Sequence, residues 1–134
     1  MERVALDTSF LIDVQNERRA RGAPRGALAF LRTHANTAML LPAVALGEYL
    51  AGFDDPDSPA ARSLVMALHV LEVTSEAARL YALTSRALRA ARRPIGSNDL
   101  WIGCTALAAE IPIVTRNADE FRRIPGLHVV TYTM

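Results

Sequence analysis

Short apolar runs that stop at a polar residue recur along this chain, each followed by a stretch with helical spacing. Val4-Ala5-Leu6 reads as a buried strand ending at Asp7, and Ser9 to Val14 as the start of a helix. The Arg- and Gly-rich stretch Glu17 to Arg25 predicts a loop or a mobile helix end. Ala27 to Thr33 has helical spacing, and Thr37 to Leu41 is a second strand stopped by Pro42. Glu48 then falls on a helix from Val44 to Phe53.

The turn Asp54 to Pro59 offers Ser58 as an N-cap and Pro59 as the first helical residue, opening a helix from Ala60 to Leu68. His69 to Val73 is a third strand, and Thr74 or Ser75 caps a long helix from Glu76 to Arg92. Pro94 and Gly96 end that helix, Ser97 caps another running to about Glu110, and Pro112 to Thr115 forms a fourth strand. A short helix from Ala118 to Ile124 and a last strand from Leu127 to Tyr132 complete the series. Strands alternating with helices imply right-handed crossovers. The fold class expected is α/β, a three-layer α/β/α sandwich whose mainly parallel sheet has four or five strands. Residues 1–134 are expected to form a single domain.

Composition sharpens this picture. A hydrophobic fraction of 51% points to a sheet covered on both faces and to a buried oligomer surface, with a homodimer expected. The apolar runs are broken well before the roughly 18 residues of a membrane span, and the start Met-Glu-Arg lacks the features of a secretory signal. A cytoplasmic protein without membrane contact is expected. Cys104 stands alone, so no disulfide within the chain is possible, and His34, His69 and His128 have no zinc-like spacing. The 15 basic residues, all Arg, nearly balance 14 acidic ones, so the chain is no polycation. Arginine suits phosphate and bases, but this usage alone is a weak pointer to RNA. Arg86, Arg89 and Arg93 share a helical face that reads first as solvated. Arg18, Arg19, Arg21 and Arg25 cluster where they could grip RNA or an acidic partner.

Four side chains carry candidate chemistry. Asp7, Glu48, Asp99 and Asn117 each sit at the polar end of an apolar run, at the sheet edge where open α/β folds bind ligands. Two carboxylates about 4 Å apart repel by roughly 4 kcal/mol at an effective dielectric near 20, so a cation is the economical partner. Oxygen donors without a Cys or His cluster select Mg²⁺ or Mn²⁺. Taken singly, each residue has a plainer reading. Asp7 and Asp99 suit helix starts, Glu48 suits an exposed stripe, and Asn117 with Glu120 suits a capping pair that leaves Glu120 structural.

Taken together, Val4 to Asp13, Leu41 to Glu48, Ser97 to Ile102 and Ile113 to Phe121 resemble the PIN-domain family, and within it the VapC-type toxins of bacterial toxin–antitoxin pairs. Each stretch is short and degenerate, but the four run in family order over nearly the whole length. The resemblance implies a metal-dependent endoribonuclease that is restrained by an antitoxin and forms dimers. By position, Asp7 and Asp99 would be the main metal ligands, and Glu48 would bind metal or orient the water. Thr8 or Ser9 would hold a carboxylate or a water in place. Asn117 departs from the pattern, since many relatives carry Asp there, which puts a second ion in doubt; Asp119 is the candidate to substitute. Arg116 is the basic residue nearest the site and the candidate RNA contact. Two other functions compete. One is a non-catalytic RNA-binding or oligomerisation module. The other is a Mg-dependent phosphatase of the haloacid dehalogenase type, which would need an acid where Ser9 stands and a Lys that the chain lacks.

Overall fold

A computed structural model describes residues 1–133. The elements are β1 (Arg3–Leu6), α1 (Thr8–Arg18), α2 (Ala27–Thr33), β2 (Ala38–Pro42), α3 (Ala43–Leu50), α4 (Pro59–Val65), β3 (His69–Leu71), α5 (Ser75–Ala90), α6 (Ser97–Ala108), β4 (Ile113–Val114), α7 (Ala118–Phe121) and β5 (Val129–Val130). The five strands are all parallel in the order β3-β2-β1-β4-β5, and helices flank the sheet as expected for the α/β class.

The central strands explain their own burial. Val4, Ala5, Leu6, Leu41, Ile113 and Val114 are almost wholly excluded from solvent, which a strand covered on both faces requires. Phe10 and Leu11 on α1, Ile102 on α6 and Phe121 on α7 close over them, each burial stabilising by about 1.5–3 kcal/mol. Cys104 lies in the same core. The register that pairs Leu6 with Val114 brings the ends of β1 and β4 level, so Asp7 and Thr115 emerge side by side. Asp7 N–H donates to Val114 O at 3.2 Å across this edge.

Boundaries differ from the sequence reading where local bonding decides. The outer strands β3 and β5 are shorter than their apolar runs because they pair only where β2 and β4 offer partners. Pro42 ends β2 and also serves as the N-cap residue of α3, which stops at Leu50 rather than Phe53. Gly96, not Ser97, occupies the N-cap of α6, and Thr74 rather than Ser75 caps α5 by accepting from Ala77 N–H. The stretch from Glu17 to Arg25 is tied down rather than loose. Helix α1 runs on to Arg18, and the Glu17 carboxylate accepts from the backbone N–H groups of Arg25, Ala27 and Leu28 at 3.3, 2.9 and 3.2 Å. That carboxylate caps α2, whose own N-cap residue Gly26 has φ of 99° and no side chain to do so.

Among the described residues, no helix is long and apolar enough to cross a membrane.

Candidate acidic site at the carboxyl edge of the sheet

Asp7 is both a helix cap and the floor of the site. Its side chain is 2% exposed, and Oδ1 accepts from Ser9 Oγ at 2.6 Å and from Phe10 N–H at 3.0 Å. Oδ2 accepts from Thr115 Oγ1 at 2.6 Å. The plain capping role is therefore real and occupies only part of the group. Burial raises the Asp7 pKa above its ordinary value, while the Ser9, Thr115 and Phe10 bonds and the Arg116 charge pull it back. Ser9 is spent on this carboxylate, at the position where a phosphatase would need an acid.

Glu48 turns toward the same edge from α3. Thr8 Oγ1 donates to its Oε1 at 2.7 Å, and Asn98 Nδ2 donates to its Oε2 at 3.1 Å. Thr8 thus holds one carboxylate while Ser9 holds another. Asn98 had no role in the sequence reading, although its place beside Asp99 at a helix start put it within reach.

Asp99 stands half-buried in the first turn of α6, where the helix dipole favours its anion. Crowding outweighs that preference. Its pKa is pushed up to about 7, by burial first, then by contact with the Glu120 carboxyl, and by the charges of Glu120, Asp7 and Glu48. Glu120 is the residue that sequence reasoning assigned to structure. The capping pair does not form, since Asn117 makes no side-chain cap to α7, and Glu120 is released to face Asp99. Gly103 allows the approach of α6 and α7. A side chain there would run into Ile124, with Phe121 and Leu127 methyl and ring carbons 3.3 Å away.

The loop after β4 completes the edge. Thr115 is fully buried between Asp7 and the Asn117 backbone, whose N–H donates to Thr115 Oγ1 at 2.8 Å. Arg116 N–H donates to Ser9 Oγ at 3.3 Å. Arg116, Asn117, Ala118, Asp119 and Glu120 line a cleft of about 300 Å³. Asn117 is exposed at its rim. Asp119 is not drawn into the acidic group; its side chain is 98% exposed and lies 3.9 Å from Arg122. Of the acids on α7, Glu120 rather than Asp119 faces Asp99.

Asp7, Glu48, Asp99 and Glu120 offer only oxygen, which suits a hard divalent ion rather than zinc. A carboxylate has about four acceptor positions, and the three bonds to Asp7 leave one open on Oδ2. Among the described residues, no three acidic, His or Cys side chains already converge as a finished chelate, and Glu48 is engaged by Thr8 and Asn98. The residues therefore fit such an ion in donor type and in charge, with water needed to fill its shell.

A family model for the PIN domain matches residues 4–127. A stretch of 53 residues is 42% identical to "Ribonuclease VapC1" of Haemophilus influenzae strain R2866, covering 40% of this chain and 40% of that protein. Another of 56 residues is 43% identical to "Ribonuclease VapC" of Rickettsia bellii, covering 42% of each. Both matches thus span well under half of these relatives. In fold, the chain is similar to a protein in the crystal structure of VapBC2 from Rickettsia felis bound to a DNA fragment from their promoter. The TM-score is 0.84 at 22% identity, over 97% of this chain and 98% of that one.

Proposed function

The chain belongs to the PIN-domain family, and on that premise we propose that it is a Mg²⁺- or Mn²⁺-dependent endoribonuclease acting as the toxin of a toxin–antitoxin pair. The observation that carries the proposal is the group of carboxyls gathered at the sheet edge, where burial first and then the neighbouring Glu120, Asp7 and Glu48 push Asp99 up to about 7. A fold keeps such repulsion where something else neutralises it. A divalent ion held there supplies an activated water and offsets charge on the phosphoryl oxygens.

The protein's own residues do the rest. Asp7 is fixed by Ser9, Thr115 and the Phe10 amide, so it meets a ligand without reorganising. Asp99, whose carboxyl is raised by burial and by its acidic neighbours, would ionise more readily with a cation beside it, and Glu120 faces it. Glu48, steadied by Thr8 and Asn98, is placed to bind the ion or to orient a water. Hydrolysis would form a bond from water oxygen to phosphorus and break the phosphorus–oxygen bond to a ribose oxygen, which leaves as a hydroxyl with a proton from that water, and Arg116, which lines the adjoining cleft, would steady the phosphate.

The test is cleavage of single-stranded RNA by the purified protein with Mn²⁺ or Mg²⁺ and none in EDTA. Asp7→Asn should lower the rate by more than about 100-fold, beyond what loss of an outer supporting contact costs. An Asp7→Asn protein as active as wild type sinks the proposal. Expression without the antitoxin should arrest growth. A homodimer belongs to the same proposal, and the exposed Met66, Val70 and Val73 around the β3 edge are apolar surface for it. The neutral Asn117 favours one other reading, a non-catalytic RNA-binding module. That module would show no rise in unfolding temperature with Mn²⁺, whereas an intact site shows one.

A further inference from the structure

A second buried acid on α1 is spent on nothing in the acidic site. Asp13 follows Asp7 on the same segment and is 3% exposed. Its Oδ2 accepts from Tyr132 Oη at 2.6 Å and lies 3.5 Å from Arg116 Nε, while its Oδ1 lies 3.6 Å from Arg25 Nε. Three separate parts of the chain therefore meet on one carboxylate: the loop before α2, the loop after β4 and the segment after β5. Tyr132 is itself fixed, with its ring edge-on to Phe10 at a centroid distance of 4.8 Å.

The charges do not balance. Among the described residues, two guanidinium groups pair with the one Asp13 carboxylate, a local surplus of one positive charge before the reach of Arg116 to Asp7 is counted. Both pairs are made through Nε, so the forked terminal nitrogens remain for another acceptor. Among the described residues, Arg116 Nε is buried with no hydrogen-bond partner. Side-chain exposures of 54% for Arg25 and 31% for Arg116 give a ligand access. Arg116 lines the cleft that Glu120 also lines, and its charge acts on Asp7, so this basic step adjoins the acidic site. Arg25 continues it away from that site, beside a second cleft of about 330 Å³ that reaches Thr133.

We infer that Asp13 gathers Arg116 and Arg25 into a clamp for an RNA phosphodiester next to the acidic site, with Asp13 as the positioning residue and Tyr132 as its anchor. One phosphodiester cancels the surplus charge. A planar fork on each side suits its non-bridging oxygens. The inference rests on the ribonuclease reading for the identity of the strand, and it gives that strand a direction, from the acidic site over Arg116 to Arg25.

The test measures binding of a labelled single-stranded RNA in EDTA, where cleavage does not interfere, across a series of NaCl concentrations. Arg25→Gln and Arg116→Gln should each reduce the log–log salt slope by about 0.7 and weaken binding about fivefold near 0.1 M salt. Asp13→Asn gives the sharper sign. Loss of a negative charge alone predicts tighter binding, whereas loss of positioning predicts weaker binding. Tyr132→Phe, which leaves the charge count intact, should weaken binding in the same direction, and thermal unfolding in the same buffer reports that each variant is folded. Unchanged slopes for both arginine variants, or tighter binding by Asp13→Asn, overturn the clamp. If the arginine variants instead lose affinity for polyglutamate with RNA binding unchanged, the patch serves an acidic protein and the clamp is likewise overturned. A wild type that cleaves RNA with Mn²⁺ while the slopes stay unchanged sinks the clamp alone. Reduced slopes for the arginine variants of a protein whose wild type never cleaves sink the nuclease reading alone.

Discussion

Asp7 and Asp13 are two buried carboxylates on one segment of chain, 2% and 3% exposed, yet they are satisfied in opposite ways. Asp13 has two guanidinium groups and a phenol. Asp7 has two hydroxyls and a backbone amide, and the one cation that reaches it, Arg116, is the weakest of the influences on it. Burying a charge is costly unless it is paired, so a fold can close over Asp13 for structural ends. Asp7 meets the same cost without a counter-ion of its own, beside three further carboxyls. The contrast separates an acid that completes the fold from one that waits for a cation.

Removing each acid is the strongest way to break this contrast. Asp13→Ala leaves Tyr132 Oη without its acceptor in the interior and removes the carboxylate that two part-exposed arginines share, and should cost about 2–3 kcal/mol, as measured by urea unfolding. Asp7→Asn should change stability by less than about 1 kcal/mol, because Asn caps a helix as well as Asp and sheds the buried charge. The order reverses for RNA cleavage, where Asp7→Asn is the damaging change. Equal unfolding costs for the two variants would erase the distinction.

The next effect in size comes from Gly103, which touches neither acid. Ala at this position meets Ile124, Phe121 and Leu127, and overpacking of this kind costs about 1–3 kcal/mol. The strain falls between α6, which carries Asp99, and α7, which carries Glu120. Gly103→Ala should therefore weaken Mn²⁺ binding, read by titration calorimetry, while the RNA salt slope set by Arg25 and Arg116 stays as in wild type. Loss of both together would mean that the acidic edge and the basic step are one unit.

Why some of these residues were legible in the sequence and others were not follows from the same geometry. Asp7 stood out because it ends the apolar run of β1 and Asp99 because it opens the apolar run of α6, and the α/β class followed from the alternation of runs. Glu120 was hidden by Asn117, whose spacing to it imitates a capping pair. The tell was Phe121, a core residue that fixes which way the four-residue α7 turns. Asp13 also left a trace. It falls on the buried face of α1 with Phe10 and Val14, and an acid on an apolar stripe demands a partner. Two of the partners it finds, Arg116 and Tyr132, lie more than a hundred residues away and follow from chain closure, while Arg25 arrives from the nearby loop before α2.

The smallest expected effect is a pH trend, because Asp99 is only half-buried and solvent screens part of its interaction. With its carboxyl held at about 7 against an ordinary 3.8, the folded protein keeps a proton that the unfolded chain releases. The stability this contributes is complete below about 3.8 and is lost as pH rises toward about 7, and the raised Asp7 acts in the same direction. In EDTA the difference in unfolding temperature between wild type and Glu120→Gln should therefore change across that window, since the variant removes the largest neighbouring charge from Asp99. With Mn²⁺ the wild-type trend should turn over, because the cation takes the place of the proton and binds better as the acids ionise. Arg25→Gln, which alters only the basic step, should leave both trends intact. A wild-type trend identical to that of Glu120→Gln would place the titrating proton outside the acidic edge and remove the crowding from which the metal site was argued.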